Sequence, residues 1–227
     1  MSVWNLFIRS VMTHFRGRRN RFLIETFPGM RDMKVLDIGG SRHFWEIFPV
    51  EHLPNDLTLL NISDDHQSLS LSGKDGGPNF SIVLYDGRTI PFPDRSFDLV
   101  VCNSVIEHVP PAGRDSFISE LRRVAASYVV QTPAREFPIE PHFVMPFVHW
   151  LPRSVGRRMA WLGIWALLNR PNARQLHEYF DEVHLLNVDE FMRYFPDGTY
   201  CPERFLGLSK SHISLRLVEC PFENGLA

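Results

Sequence analysis

The chain has 227 residues, 44% hydrophobic and 22% charged, with 24 Lys and Arg against 26 Asp and Glu for a formal net charge of -2. That composition suits one soluble globular domain with a sizeable core, and it argues against disorder and against the basic field that nucleic-acid binders need. Cys102, Cys201 and Cys220 form no Cys-x-x-Cys pair, no apolar run approaches the ~20 residues of a membrane span, and the first residues lack a secretory pattern. A cytoplasmic protein is the expectation.

Residues 3 to 27 place Leu6, Phe7, Ser10, Val11, Met12 and Phe15 near one face at helical spacing, with Arg9, Arg16, Arg18, Arg19 and Arg21 toward the end. This reads as an amphipathic helix docked on the domain, its arginines solvated; contact with an anionic membrane or acidic substrate is the alternative. Lys34-Val-Leu-Asp-Ile-Gly-Gly40 reads as a buried parallel strand ending in two glycines, which let backbone amides approach a ligand closely. A helix should open over 41 to 48, a second strand spans 57 to 62, and the Ser-, Gly- and Asp-rich segment 64 to 79 reads as loop. Third and fourth strands are expected at 81 to 85 and 97 to 103, a helix from Pro111 through Arg123, and a fifth strand over 128 to 131. Strands alternating with helices imply right-handed crossovers and a parallel sheet.

From Thr132 to Leu168 the chain turns dense in Pro, Phe, Trp and His. A helix from Val188 to Phe195 and strands near 202 to 206 and 212 to 217 would close the sheet.

The order of Lys34 to Gly40, Ser81-Ile-Val-Leu-Tyr-Asp-Gly87 and Ile90 to Val109, the last ending Asn103-Ser-Val-Ile-Glu-His-Val109, resembles the class I S-adenosylmethionine (SAM) dependent methyltransferases. The likeness is greatest to the branch of the ubiquinone and menaquinone biosynthesis enzymes, and it covers residues 33 to 133. It implies an α/β, Rossmann-like, doubly wound and mostly parallel seven-stranded sheet with an antiparallel last strand. It also implies a helical cap inserted after the fifth strand. The single domain then divides into an N-terminal helical segment at 1 to 32, a SAM-binding core at 33 to 133, an acceptor cap at 134 to 187 and closing elements at 188 to 227.

By the same resemblance Asp37, Gly39 and Gly40 face the methionine part of SAM, Asn61 stands where an acid usually holds the ribose, Asp86 meets the adenine amino group beside Gly87, and Asn103 faces the sulfonium. Two departures stand out: Ser41-Arg-His43 replaces a third spaced glycine, and Asn61 is uncharged, so Asp64 or Asp65 would share its role. For Asp86 the plain alternative is a turn-capping carboxylate. A dinucleotide oxidoreductase shares the opening strand, but none of Tyr85, Tyr128, Tyr179, Tyr194 and Tyr200 has Lys four positions on, and no acid ends the second strand.

Methyl transfer from a sulfonium needs alignment, whereas a hydroxyl acceptor needs a base or a metal to loosen its proton. His108 and His142 are the candidate bases, His149 a weaker one, with Glu107 beside them. Glu107, His108, Glu140 and His142 also offer mixed carboxylate and imidazole ligation for Mg or Mn. The block Gln131 to Phe143 and Phe205-Leu-Gly-Leu-Ser-Lys-Ser211 resemble small bacterial O-methyltransferases of glycan and natural-product assembly, which implies a saccharide or glycan-precursor acceptor. Trp150, Trp161 and Trp165 would stack on sugar faces, or else build the cap core or a homodimer interface. Two other readings stay open: a lipid or quinone-like acceptor reached by an interfacial helix around Arg153, Arg157 and Arg158, and a non-catalytic SAM-fold binding protein.

Overall fold

The computed structural model describes residues 3–63 and 79–218, with side chains from residue 15 onward. The expectations for Asp64, Asp65, the loop beyond them, Cys220 and the first apolar positions of the N-terminal helix lie outside the described residues.

The chain opens with α1 (Val3–Thr26), then β1 (Lys34–Ile38), α2 (Arg42–Glu46), β2 (Asp56–Asn61), β3 (Asn79–Leu84) and β4 (Phe97–Asn103). Next come α3 (Arg114–Val124) and β5 (Ala125–Pro133), followed by the cap: β6 (Ile139–Glu140), β7 (Met145–Pro146), α4 (Arg153–Met159), α5 (Ile164–Asn169) and α6 (Ala173–Glu182). The closing elements are α7 (Val188–Tyr194), β8 (Thr199–Tyr200), β9 (Glu203–Phe205) and β10 (Leu208–Arg216). The main sheet runs β3-β2-β1-β4-β5-β10-β8, with β9 also pairing to β10. Strands β1 to β5 pair parallel, and β10 pairs antiparallel to β5. The fold is thus a Rossmann-like, mostly parallel α/β sheet with an antiparallel strand β10.

Strand alternation explains why helices cover both faces. On β1, Leu36 and Ile38 join β4 residues Val100 and Cys102 in a core that α3 closes with Phe117, Ile118 and Leu121 and α7 with Phe191. Val35 of β1, with Leu57 and Leu59 of β2, faces the other way, against Leu23 and Phe27 of α1 and Phe44, Trp45 and Phe48 around α2. Side chains two apart share a face, so a fully buried strand must be apolar at nearly every position. A third cluster, Phe143, Met145, Val148, Ala166, Leu176 and Phe180, gives the cap its own core.

Three expectations need correction. The single edge strand near 202 to 206 is two short ones, because Pro202 has no amide hydrogen to give the ladder; with both counted the sheet has eight strands. The cap is not wholly helical: the two-residue strands β6 and β7 form a hairpin in it. The α1 arginines are not all solvated, since Arg19 lies half-buried with its Nε unpartnered, near Glu203, and burial holds its pKa below the ordinary value.

Candidate active site

In a doubly wound sheet ligands bind beyond the carboxyl ends of the strands, where strand order reverses. Here that point lies between β1 and β4, which are neighbours in the sheet although β2 and β3 separate them in the chain.

At the end of β1, Gly39 adopts φ 68°, a left-handed conformation that glycine takes without strain, and a Cβ there would overlap Val105. A Cβ on Gly40 would overlap the Asp37 carboxylate. The turn is held by Gly39 N donating to Leu60 O at 2.8 Å and Asn61 Nδ2 donating to Gly40 O at 3.0 Å. Asn61 therefore buttresses the glycine turn through its amide nitrogen. Asp37 is buried, accepts from Trp45 Nε1 at 2.7 Å on Oδ2, and keeps Oδ1 buried without a partner. Burial pushes its pKa up to about 7, against the pull of the Trp45 hydrogen bond. An unpartnered acceptor beside a turn that only glycines can make fits a polar ligand bearing donors, as the amino-acid end of SAM does.

Asp86 is exposed, and its Oδ1 accepts from the backbone amides of Arg88 at 2.8 Å and Thr89 at 3.0 Å. These bonds hold its carboxyl below the ordinary range. This is the turn-capping arrangement. Gly87 follows at φ 75°, with room for a Cβ limited by Ile62 Cγ2 at 3.3 Å. Asn103 ends β4 half-buried.

Beyond Asn103 the chain bends sharply. Ser104 takes φ 56°, fixed by its amide donating to Gln131 O at 2.9 Å and its hydroxyl to Gln131 Oε1 at 3.2 Å. Such a conformation costs a non-glycine residue about 1–2 kcal/mol and persists only where the surroundings enforce it. The bend starts a tight turn, with His108 N donating to Val105 O at 2.8 Å, and places Glu107 and His108 at the rim of the sheet.

Glu107 is fully buried and accepts from Thr132 Oγ1 at 2.9 Å on Oε2, while Oε1 has no partner and lies 3.9 Å from His142 Nε2. Burial raises its pKa, with His142 opposing. His142 reaches the site from the β6–β7 turn. Its Nδ1 meets Glu140 Oε1 at 2.6 Å, and Glu140 Oε2 caps the same turn by accepting from Phe143 N at 2.7 Å. Val144 in that turn has φ 50°, strained for a β-branched residue, so packing holds the turn in place. Burial alone would lower the His142 pKa, but the hydrogen bond and charge of Glu140 with the charge of Glu107 together raise it. The His108 ring stands 5.0 Å from that of His142, nearly perpendicular, and burial with the His142 charge pushes it down to about 4.

Glu107, His108 and His142 present ligand-capable atoms that lie within 4.8 Å of one another. A cavity of about 360 Å³ touches His108, with Pro110, Glu178, Glu182 and His184, and another of about 380 Å³ reaches Glu140 from the side of Arg114 and Arg135. His149 is not part of the cluster: its Nε2 donates to Arg135 O at 3.0 Å, and burial lowers its pKa. Trp165 packs on Phe143 and Tyr179 in the cap core, and Trp150 Nε1 donates to Arg135 O at 2.7 Å. Sequence reasoning missed Thr132 and Tyr179, the latter 6.1 Å from His142 ring to ring. Thr132 carried a usable signal, since a hydroxyl near the carboxyl end of a central strand stands at the ligand face.

Residues 36–128 match the family described as Methyltransferase domain, and this segment runs from within β1 into β5, with the glycine turn and the Glu107-His108 pair. No curated protein matches the chain. Among solved structures, the chain resembles magnesium protoporphyrin IX methyltransferase from Synechocystis with bound S-adenosylhomocysteine (SAH), at 12% identity, TM-score 0.58, over 95% of this chain and 87% of that one. It is also similar to a SAM-dependent methyltransferase from Mesorhizobium loti, at 13% identity, TM-score 0.55, covering 86% and 95%. A third likeness is to a SAM-dependent methyltransferase from Aquifex aeolicus, at 15% identity, TM-score 0.51, covering 86% and 87%. At these identities the likeness establishes a shared fold. Among the described residues, no helix is long and apolar enough to cross a membrane.

Proposed function

We propose that this chain is a SAM-dependent O-methyltransferase acting on a hydroxyl of a saccharide or glycan precursor. The observation that carries the reading is the Glu140–His142–Glu107 arrangement at the ligand end of the sheet. When bound, SAM supplies an electrophilic methyl group on a sulfonium. Asp37, Gly39, Gly40 and Asn61 would hold it at the β1 and β2 ends, with Asp86, Gly87 and Asn103 completing the rim.

The protein's own task is the acceptor proton. Glu140 fixes His142 Nδ1, which leaves Nε2 toward the space beside Glu107 and His108, and the carboxylate pair stabilises the imidazolium that forms on proton uptake. His108, with a depressed pKa, stays neutral and serves as a hydrogen-bond partner to the acceptor.

A second reading rests on the unpartnered Glu107 Oε1. Two imidazoles and one carboxylate, with Glu140 behind His142 and Thr132 behind Glu107, form a donor set suited to a divalent cation. A bound cation would acidify the hydroxyl directly.

The test is incubation with methyl-labelled SAM and two acceptor pools, one of short saccharides and one of lipids and quinones, each with and without chelator. Label in the saccharide pool supports the proposal, and chelator sensitivity selects the metal reading. Label confined to the lipid pool refutes the acceptor class. No label in either pool, with no measurable SAH binding, would leave a non-catalytic binding fold.

A further inference from the structure

Residues 141–177 contain five arginines and no Asp or Glu, in a chain whose net charge is -2. Three of the five are neutralised from α6: Arg153 and Arg157 by Asp181, and Arg174 by Glu178. Arg158 and Arg170 are exposed and make no side-chain hydrogen bond or ion pair among the described residues.

Between those two arginines lie Trp161, Leu162, Leu167 and Leu168, which leave 39%, 67%, 63% and 45% of their surface exposed. Their neighbours point inward: Ala160 and Ala166 are buried in the cap core, and Trp165 packs on Phe143 and Tyr179. Gly163, whose Cβ would crowd Phe143 O at 2.8 Å, seats this segment tightly on that core. The exposed positions of this segment are therefore largely apolar and flanked by two unpaired arginines, where a solvent-facing helix surface would be polar.

We propose that this tip of the cap, from Arg158 to Arg170, docks on an anionic lipid surface. Leucines enter the boundary between headgroups and acyl chains, Trp161 suits that boundary with its apolar body and polar N–H, and the arginine heads reach lipid phosphates. Charge decides against a second copy of the chain. A two-fold contact sets the same patch against itself, and residues 141–177 bring no acid to meet the two free arginines. The docked face backs onto the chemistry, since Trp165 lies 4.7 Å from Tyr179 and Tyr179 lies 6.1 Å from His142.

Vesicle flotation of the full chain tests this without reading turnover. Vesicles of phosphatidylcholine mixed equally with phosphatidylglycerol should carry the protein upward, phosphatidylcholine alone should not, and added salt should release it. Arg158→Glu with Arg170→Glu should lower partitioning about tenfold or more. Leu162→Ser with Leu167→Ser should weaken it at unchanged charge, and all four positions are exposed, so circular dichroism should stay native. Failure of the wild type to float, or equal flotation of the arginine variant, overturns the proposal. So does a dimer in light scattering that the leucine variant dissolves.

Discussion

Replacing Asp37 with Asn should stabilise the protein, and the gain should grow with pH. Asp37 is buried and keeps Oδ1 unpartnered, and its carboxyl titrates at about 7 in the fold against an ordinary 3.8. Below pH 3.8 both folded and unfolded chains hold the proton and the residue costs nothing. As pH climbs, the unfolded chain releases the proton first, so the native state loses ground until about pH 7 and is then penalised by a constant amount. At 1.36 kcal/mol per pKa unit, the full penalty is about 4 kcal/mol. Asn keeps an acceptor for Trp45 Nε1 and carries no charge. Urea denaturation of both proteins at steps across this pH range reads the difference. A stability difference that stays flat between pH 4 and 7 would refute the burial argument.

Gly40→Ala should cost about 1–3 kcal/mol in thermal melts, because the new Cβ overlaps the Asp37 carboxylate, and SAH affinity by calorimetry should fall with it. His142→Gln should cut methyl transfer by about 10²–10⁴-fold while leaving SAH affinity unchanged; equal loss of both would make His142 structural. Glu140→Gln removes the hydrogen bond and charge that raise His142, so the acidic limb of the pH–rate profile, below which the base is protonated, should move to lower pH. Phe143→Ala opens a hole among Trp165, Tyr179 and Phe180 and should destabilise the cap by about 3–5 kcal/mol, seen as early proteolysis within residues 134–187.

The sheet was legible where burial is continuous. Phe97 to Asn103 reads as a strand because it is nearly all apolar between a Pro-Asp-Arg-Ser turn and a polar end, and β4 has those bounds. The fifth strand was read too short, since Ala125, Ser127 and Thr132 look unremarkable alone and are ordered by pairing to β4 and β10. The cap hairpin left little periodic signal, because two residues per strand cannot establish an alternation. Glu107, His108 and His142 could be singled out by residue type and motif position. Their mutual distances could not, because the 33 residues between His108 and His142 carry α3, β5 and β6. The environment of Arg19 was invisible for the same reason: the charges near it include Glu203 of β9, remote in the chain.

His142 and Glu140 sit on a small hairpin that packs with a separate cap core, whereas Thr132 lies on β5 of the central sheet and Glu107 in the turn directly after β4. If the cap opens more readily than the sheet, the two halves of the proposed proton-handling group separate before the sheet unfolds. Partial opening of the cap would part His142 from Glu107 while leaving the glycine turn and its Asn61 tie undisturbed. Under mild denaturant, turnover should vanish while cofactor affinity and the signal of the sheet persist, so such a catalyst fails by disassembly of its site before it fails by unfolding.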